Sequence, residues 1–194
     1  MIILVLVTAY LLGSLPFGYL LSKLLLKTDI RKHGSGNIGA TNVLRVAGWK
    51  AALPVFLLDM LKGFLAVLIA RSISDLPLVY LSAGLLAMIG HSFPIFLGFR
   101  GGKAAATGIG VLAALSGWVL LILMVCAITL VAVTRYVSLG SIVGSMLIPL
   151  AFLVLGYDWP YILFGVGMAV LVVVRHKDNI KRLLAGTEAK LGQK

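Results

Sequence analysis

Acidic residues are scarce in this chain of 194 residues, with six Asp and Glu in all, and there is a single cysteine. One cysteine cannot build a disulfide framework, and Cys126 stands inside an apolar run, where it belongs to no metal cluster. His33, His91 and His176 show no metal-ligand spacing. No Walker lysine motif follows a strand and no Gly-x-Ser-x-Gly elbow is present, which removes two familiar catalytic classes. Charged residues are only 12% of the chain against 61% hydrophobic, and the mean hydropathy is +1.10, so the soluble classes are excluded as well. What charge there is has one dominant sign: 17 Lys and Arg give a net +11. That positive charge is spread between apolar runs without a soluble reading element, so no nucleic-acid partner is expected.

What the chain does contain is a succession of apolar runs. A helical crossing of the hydrocarbon layer takes about 20 residues, so the length allows about seven spans in one domain, residues 1–194, with short connections. The runs predict an all-α integral membrane protein with helices over 1–26, 50–72, 77–98, 104–117, 118–134, 138–156 and 159–174. The first run has no basic segment ahead of it and continues past any small-residue cleavage point, so it reads as a span and not as a signal peptide. The run 104–117 is short for a crossing; its Gly and Ala suit either a tilted helix packed by small residues or a re-entrant one.

Charge sets the orientation. All the lysines and arginines except Arg71 and the intramembrane Lys62 lie in or near the connections 27–50 and 100–103, around Arg135, or in the tail from Arg175, whereas the alternate connections hold Asp75 and Asp158. The positive-inside rule makes the basic face cytoplasmic, and an odd number of spans then places the N-terminus outside and the C-terminus in the cytoplasm. Topology and attraction to anionic lipid are ordinary reasons for such a charge; a specific anion is the third.

Four polar segments carry the candidate chemistry. The first, His33-Gly-Ser-Gly-Asn-Ile-Gly-Ala-Thr-Asn-Val-Leu-Arg45, connects two spans. Gly34, Gly36 and Gly39 permit positive φ and let N–H groups point into one concavity, an anion nest. Ser35, Asn37, Thr41 and Asn42 add hydroxyl and amide donors, and Arg45 supplies a fork suited to phosphate or carboxylate. The same composition also suits a flexible loop of turn formers. The second segment runs from Gly90 and His91 through Pro94 to Arg100-Gly-Gly-Lys103. Arg100 and Lys103 flank Gly101 and Gly102 and can share an anion with N–H groups at the start of the next helix, or can simply mark the cytoplasmic end of a span.

The third segment, Thr134-Arg-Tyr-Val-Ser-Leu-Gly-Ser141, opens the sixth span, with Ser138 and Ser141 on one helix face, either donating to an oxygen or back-bonding to their own helix. The fourth, Arg175 to Glu188, continues the last span as a basic amphipathic helix. His176, Asn179 and Arg182 form its polar edge, and Ile180, Leu183 and Leu184 an apolar edge able to rest on the bilayer. Within the second span Asp59 and Lys62 stand three apart, a pair that a bilayer penalises unless each satisfies the other, and it reads as a structural pair or a polar vestibule in preference to a catalytic one.

The His-x4-Asp motif of the common glycerolipid acyltransferases is absent, because the fifth residue after each histidine is Ile38, Phe96 or Lys181. The four segments together closely resemble the bacterial membrane glycerol-3-phosphate acyltransferases that use acyl-phosphate as donor. The resemblance rests on Gly34 to Arg45, Gly90-His-Ser-Phe-Pro with Arg100-Gly-Gly-Lys-Ala-Ala-Ala-Thr107, Arg135 to Ser141, and Arg175-His-Lys-Asp-Asn-Ile with Gly186 and Glu188, and it spans nearly the whole chain. It implies acyl transfer from acyl-phosphate, not acyl-CoA, to the 1-hydroxyl of sn-glycerol-3-phosphate, giving lysophosphatidic acid and phosphate, the first acylation of phospholipid biosynthesis. It implies no cofactor and no metal. The partners are acyl-phosphate, glycerol-3-phosphate, membrane lipid and the soluble enzyme that makes acyl-phosphate, and the place is the bacterial inner membrane with the active site facing the cytoplasm.

On residues and resemblance together, Ser35, Lys103, Ser141, His176 and Asn179 are assigned to catalysis. Gly36, Asn37, Gly39, Thr41, Asn42, Arg45, Arg100, Gly101, Gly102, Ser138 and Glu188 are assigned to substrate binding. Ser35, Arg45, Lys103, Ser141, His176 and Asn179 are expected to converge. An acyl-phosphate is already activated, so orienting the hydroxyl and neutralising the departing phosphate suffice without a covalent intermediate. His176 is the one general-base candidate; a substrate phosphate oxygen, with a second pKa near 6, is the alternative acceptor. The rival reading is a small phosphate-binding membrane transporter, but that class shows related halves and a midplane site. Here the polar groups gather on one face and no repeat is found.

Overall fold

Apolar runs interrupted by proline and glycine become ten α-helices in the computed structural model, which describes residues 1–192. The first expected span is two helices, α1 (Ile2–Gly13) and α2 (Phe17–Leu26), because Pro16 lacks the N–H that would continue the ladder. The first polar connection contains a helix not expected from sequence, α3 (Ala40–Ala47). Then follow α4 (Trp49–Arg71), α5 (Pro77–Ser92), α6 (Ala105–Leu115), α7 (Gly117–Thr134), α8 (Val137–Val154), α9 (Trp159–Arg175) and α10 (Lys177–Leu184).

The all-helical membrane architecture holds, and among the described residues the segments differ in how far each can reach across a bilayer. Five segments are long and apolar enough to cross a bilayer, or six if α9 and α10, bent by 62°, are one span. The short run expected at 104–117 is α6, whose 11 residues reach about 17 Å at 1.5 Å per residue, against a hydrocarbon layer of about 30 Å.

The helices gather into two compact units, one of residues 1–114 and one from Leu115 onward. Lipid offers no hydrophobic drive for helices to associate, so close backbone approach has to supply the contact energy. In the first unit α1 meets α5 where Gly13 lies on the Ala87 backbone and Gly90 on the Tyr10 carbonyl. The Tyr10 hydroxyl closes that seam by donating to the Phe93 carbonyl at 2.9 Å. On the other side α4 meets α6 where Gly63 faces the Thr107 backbone and Gly110 the Met60 backbone. In the second unit α8 meets α7 at Gly140 and α9 at Gly165, and the rings of Phe152, Tyr157 and Tyr161 pack together. The Tyr157 hydroxyl donates to Ser116, which itself caps α7 through the Val119 N–H.

Candidate active site

The glycine-rich connection is held from inside by one side chain. Asn42 sits in the first turn of α3, 2% exposed. Its Oδ1 accepts the Ser35 N–H at 2.8 Å, and its Nδ2 donates to the carbonyls of Ile30 (3.3 Å), His33 (3.0 Å) and Asn37 (2.8 Å). Asn42 therefore organises the loop, and both ends of the amide expected to face substrate are used there. Gly34, at φ +57°, is required by this arrangement, since a Cβ would strike Asn42 Oδ1.

The expected nest of N–H donors is corrected by the same bonds. The Ser35 N–H goes to Asn42, the Gly36 N–H to the His33 carbonyl at 3.0 Å, and the Gly39 N–H to Asn37 Oδ1 at 2.8 Å. Gly39 has an ordinary φ of −73° and starts α3. What the loop turns outward is side chains: Ser35, Thr41 and Arg45 are exposed, the last two one helical turn apart on α3. Ala40 and Thr41 head the helix, where N–H groups have no intrahelical acceptor. At the loop's entry Asp29 caps a short 3₁₀ turn and pairs with Arg31 at 2.7 Å. The Arg31 hydrogen bond holds the Asp29 carboxyl down at about 2.

The second segment folds back on the end of α5. Gly101 and Gly102 donate their N–H groups to the Ser92 and His91 carbonyls at 3.2 and 3.0 Å, so these too are spent internally. Both glycines are there for closeness: a Cβ on Gly101 would strike the His91 carbonyl oxygen, and one on Gly102 the His91 ring. Lys103, half-buried, does not begin the following helix as expected. Ala104 intervenes at φ +58°, fully buried, and α6 starts at Ala105. A left-handed non-glycine residue is sparsely populated and costs about 1–3 kcal/mol unless its surroundings impose it. Arg100 is exposed at the tip of the turn.

Beneath this turn the intramembrane pair forms as expected, with Lys62 Nζ 2.8 Å from Asp59 Oδ1 and both side chains at most 2% exposed. Sequence reasoning missed the third member, His91, whose Nδ1 lies 3.5 Å from the same oxygen. It also missed the Leu15 carbonyl, which accepts from Lys62 at 2.7 Å. Leu15 precedes Pro16, so the break between α1 and α2 was the available signal.

In the second unit the hub is Glu188, 5% exposed. Ser138 Oγ and Asn179 Nδ2 donate to its Oε1 at 2.7 and 2.6 Å, and Arg182 Nε donates to Oε2 at 2.7 Å. Burial alone would raise this carboxyl, but the hydrogen bonds from Ser138, Asn179 and Arg182, with the Arg182 charge, bring it below its ordinary value. Glu188, expected to bind substrate, thus holds three other expected polar residues, and an anion is an unsuitable direct ligand for a phosphate. The tail reaches this position because Leu191 and Arg135 exchange two hydrogen bonds: the Leu191 N–H to the Arg135 carbonyl at 2.7 Å, and Arg135 Nη2 to the Leu191 carbonyl at 2.8 Å.

The remaining residues of this set are placed by α8 and the α9–α10 bend. Ser141 Oγ donates to the Val137 carbonyl at 3.0 Å, the helix back-bond considered beforehand. His176, 4% exposed, sits at the bend with Nδ1 2.8 Å from the Val172 carbonyl. A carbonyl only accepts, so Nδ1 carries the proton and Nε2 is the nitrogen able to take one in the neutral ring. Of the six residues expected to converge, Ser35, Arg45 and Lys103 belong to the first unit and Ser141, His176 and Asn179 to the second.

Comparison with known proteins follows the same residues. The family model described as Glycerol-3-phosphate acyltransferase matches residues 3–186. A glycerol-3-phosphate acyltransferase of Syntrophomonas wolfei is 48% identical over 189 residues, covering 97% of this chain and 96% of its own length. One of Desulforamulus reducens is 46% identical over 192 residues, covering 99% and 96%. Among solved structures, an integral membrane glycerol 3-phosphate acyltransferase in its glycerol 3-phosphate form superposes with a TM-score of 0.94 at 40% identity, over 98% of this chain and 96% of that one. The lysophosphatidic acid form of the same enzyme gives a TM-score of 0.91.

Proposed function

This chain belongs to the glycerol-3-phosphate acyltransferase family and is a membrane acyltransferase, and on that premise we propose that acyl-phosphate is its donor and the 1-hydroxyl of sn-glycerol-3-phosphate its acceptor. The hydroxyl oxygen attacks the acyl carbonyl carbon, an ester C–O bond forms, the C–O bond to phosphate breaks, and the products are 1-acyl-glycerol-3-phosphate and inorganic phosphate. The proton released by the hydroxyl goes to a phosphate oxygen of the substrates, whose second pKa near 6 suits it to accept. Both units serve this one reaction as a single acyltransferase domain.

The observation that carries the reading is that the N–H groups of Ser35, Gly36, Gly39, Gly101 and Gly102 are bonded internally, while the side chains of Ser35, Thr41, Arg45 and Arg100 are exposed. Ser35, Thr41 and Arg45, with the start of α3, suit a phosphate; Lys103 on its strained turn supplies the point charge that a departing phosphate needs. Asn42 and Glu188 position these groups and their counterparts without touching substrate. His176, with Nδ1 committed to Val172, orients through Nε2. The basic connections support a site at the cytoplasmic face of the bacterial inner membrane, with the N-terminus outside. The soluble enzyme that makes acyl-phosphate delivers the donor to that face.

Purified protein supplied with glycerol-3-phosphate and either acyl-phosphate or acyl-CoA tests the donor. Lysophosphatidic acid with stoichiometric phosphate release from acyl-phosphate alone is the expected result. Comparable product from acyl-CoA overturns the donor assignment, and product from neither overturns the reaction.

A further inference from the structure

Asp59, Lys62 and His91 are buried among apolar helices in a bilayer protein, where each charge is costly and persists only when paired. A well-packed apolar pair would serve stability as well or better, since replacing a buried ion pair with hydrophobic residues of similar volume is often neutral or stabilising. Their connections lead in one direction. Lys62 is fixed at one end by the Leu15 carbonyl (2.7 Å), at the break between α1 and α2, and by Asp59 (2.8 Å) on its own helix. Asp59 reaches His91 Nδ1 at 3.5 Å, and the His91 ring lies against Gly102 so closely that a Cβ there would strike Nε2. The His91 carbonyl then takes the Gly102 N–H at 3.0 Å. The residue after Gly102 is Lys103. Gly63, next to Lys62, lies on the Thr107 backbone in the first turn of α6, so the same stretch of α4 also supports the far side of the strained Ala104 link.

We propose that Asp59, Lys62 and His91 are positioning residues for acyl transfer, a buried polar strut that sets the ammonium of Lys103 against the phosphate of the substrate. The strut fixes the plane of the His91 ring, the ring fixes the Gly101–Gly102 return, and the return fixes where Lys103 leaves it. The inference rests on the reading that Lys103 serves a phosphate. A misplacement of about 1 Å in a group that stabilises a transition state costs on the order of 10²-fold in rate, so a strut of this kind acts on turnover through Lys103 and not through folding.

The test reads Lys103 directly, with inorganic phosphate as the probe. Brief acetic anhydride labelling of the purified protein, quantified by mass spectrometry at Lys103 and at the exposed Lys50 as internal control, is run with and without phosphate. It is applied to the parent chain, to His91→Gln, and to the charge-balanced double variant Asp59→Leu with Lys62→Met. In the parent, phosphate should slow labelling of Lys103 and leave Lys50 unchanged. In the variants, thermal midpoint and Lys50 labelling should match the parent while protection of Lys103 falls about fivefold or more, and turnover with acyl-phosphate falls about 10- to 100-fold. Protection at the parent level, or normal turnover, in a folded variant overturns the strut. Failure of both variants to fold assigns the set to stability alone and overturns it equally. Absence of protection in the parent overturns instead the placement of Lys103 at a phosphate, which the donor and Lys103→Ala assays check separately.

Discussion

The loop 33–45 and the tail 176–191 solve the same problem with opposite chemistry. Each is a polar segment at the end of apolar helices, and each is gathered around one nearly inaccessible side chain, Asn42 at 2% exposure and Glu188 at 5%. Asn42 is neutral and works on the backbone, accepting one N–H and donating to three carbonyls. Glu188 is charged and works on side chains, accepting from Ser138, Asn179 and Arg182. The first arrangement fixes a chain path along which Ser35, Thr41 and Arg45 are exposed. The second fixes particular donors and makes their placement depend on one carboxylate. The loop should therefore fail through geometry, and the tail through charge.

The scale for both is set by a residue that belongs to neither. Lys103→Ala removes charge and donor together, and loss of one transition-state donor costs about 10²–10³ in rate. We expect it to be nearly inactive though folded and inserted, and Lys103→Arg to be strongly impaired because a planar, longer cation does not replace a point charge. Turnover above about a third of normal in Lys103→Ala would return this lysine to a topological role.

Asn42→Ala comes next. Four hydrogen bonds at about 1 kcal/mol each disappear, and their partners are left in a buried or half-buried loop. We expect the apparent KM for glycerol-3-phosphate to rise about tenfold or more, with a measurable fall in thermal midpoint. Asn42→Asp, which keeps the acceptor and removes both donors, should resemble Ala more than the parent. An Asn42→Asp enzyme with parental kinetics would show that the three carbonyl bonds do not hold the loop. On the other side of the comparison, Glu188→Gln keeps shape but turns one acceptor into a donor facing a donor, which costs about 1–3 kcal/mol. Its kinetic loss should be recovered only by restoring the carboxylate, not by added phosphate.

How far such roles can be read before the fold is known depends on sequence distance. The apolar runs and the four polar segments were legible because each is local, as was the Asp59–Lys62 pair at a spacing of three. The Pro16 break was equally local and was passed over inside a continuous apolar run. Glu188 and Asn42 were both recognised as polar residues that matter and both assigned to substrate. Their real partners include Ser138, 50 residues from Glu188, and Ile30, 12 residues from Asn42, and composition does not state such pairings. The glycines misled for the same reason. Gly101 and Gly102 look like anion-binding turn residues, but what demands them is His91 at the other end of the same segment, its carbonyl against Gly101 and its ring against Gly102.

Acid should separate the two regions by charge. Glu188 has a native value below its ordinary 4.5, so its ionised network stabilises the tail above the unfolded value, and that contribution is lost as the pH falls through the native one. Asp29 at the loop entry is held down to about 2 and the Asn42 amide does not titrate, so the loop should persist to lower pH. Amide exchange or limited proteolysis followed downward from neutral pH should show the tail opening before the loop. In Glu188→Gln the tail should already be open and lack this pH dependence; simultaneous opening of both in the parent would break the contrast.

The smallest effect expected lies inside the loop and separates its own glycines. Gly34 and Gly36 both have positive φ, +57° and +71°, so alanine at either carries a backbone cost of about 1–2 kcal/mol. They differ in what the new methyl meets. At Gly34 it strikes Asn42 Oδ1, with Val46 Cγ2 at 3.2 Å, so the substitution displaces the hub itself; at Gly36 its nearest neighbour is the Arg31 carbonyl at 3.1 Å, which a small shift relieves. If the loop works through Asn42, Gly34→Ala should approach Asn42→Ala in its effect on KM for glycerol-3-phosphate, and the two changes combined should cost little more than either alone. Gly36→Ala should shift the thermal midpoint by a few degrees and KM by no more than about threefold. Equal kinetic losses at Gly34 and Gly36 would mean that conformational freedom, not the Asn42 hub, is what the two glycines supply.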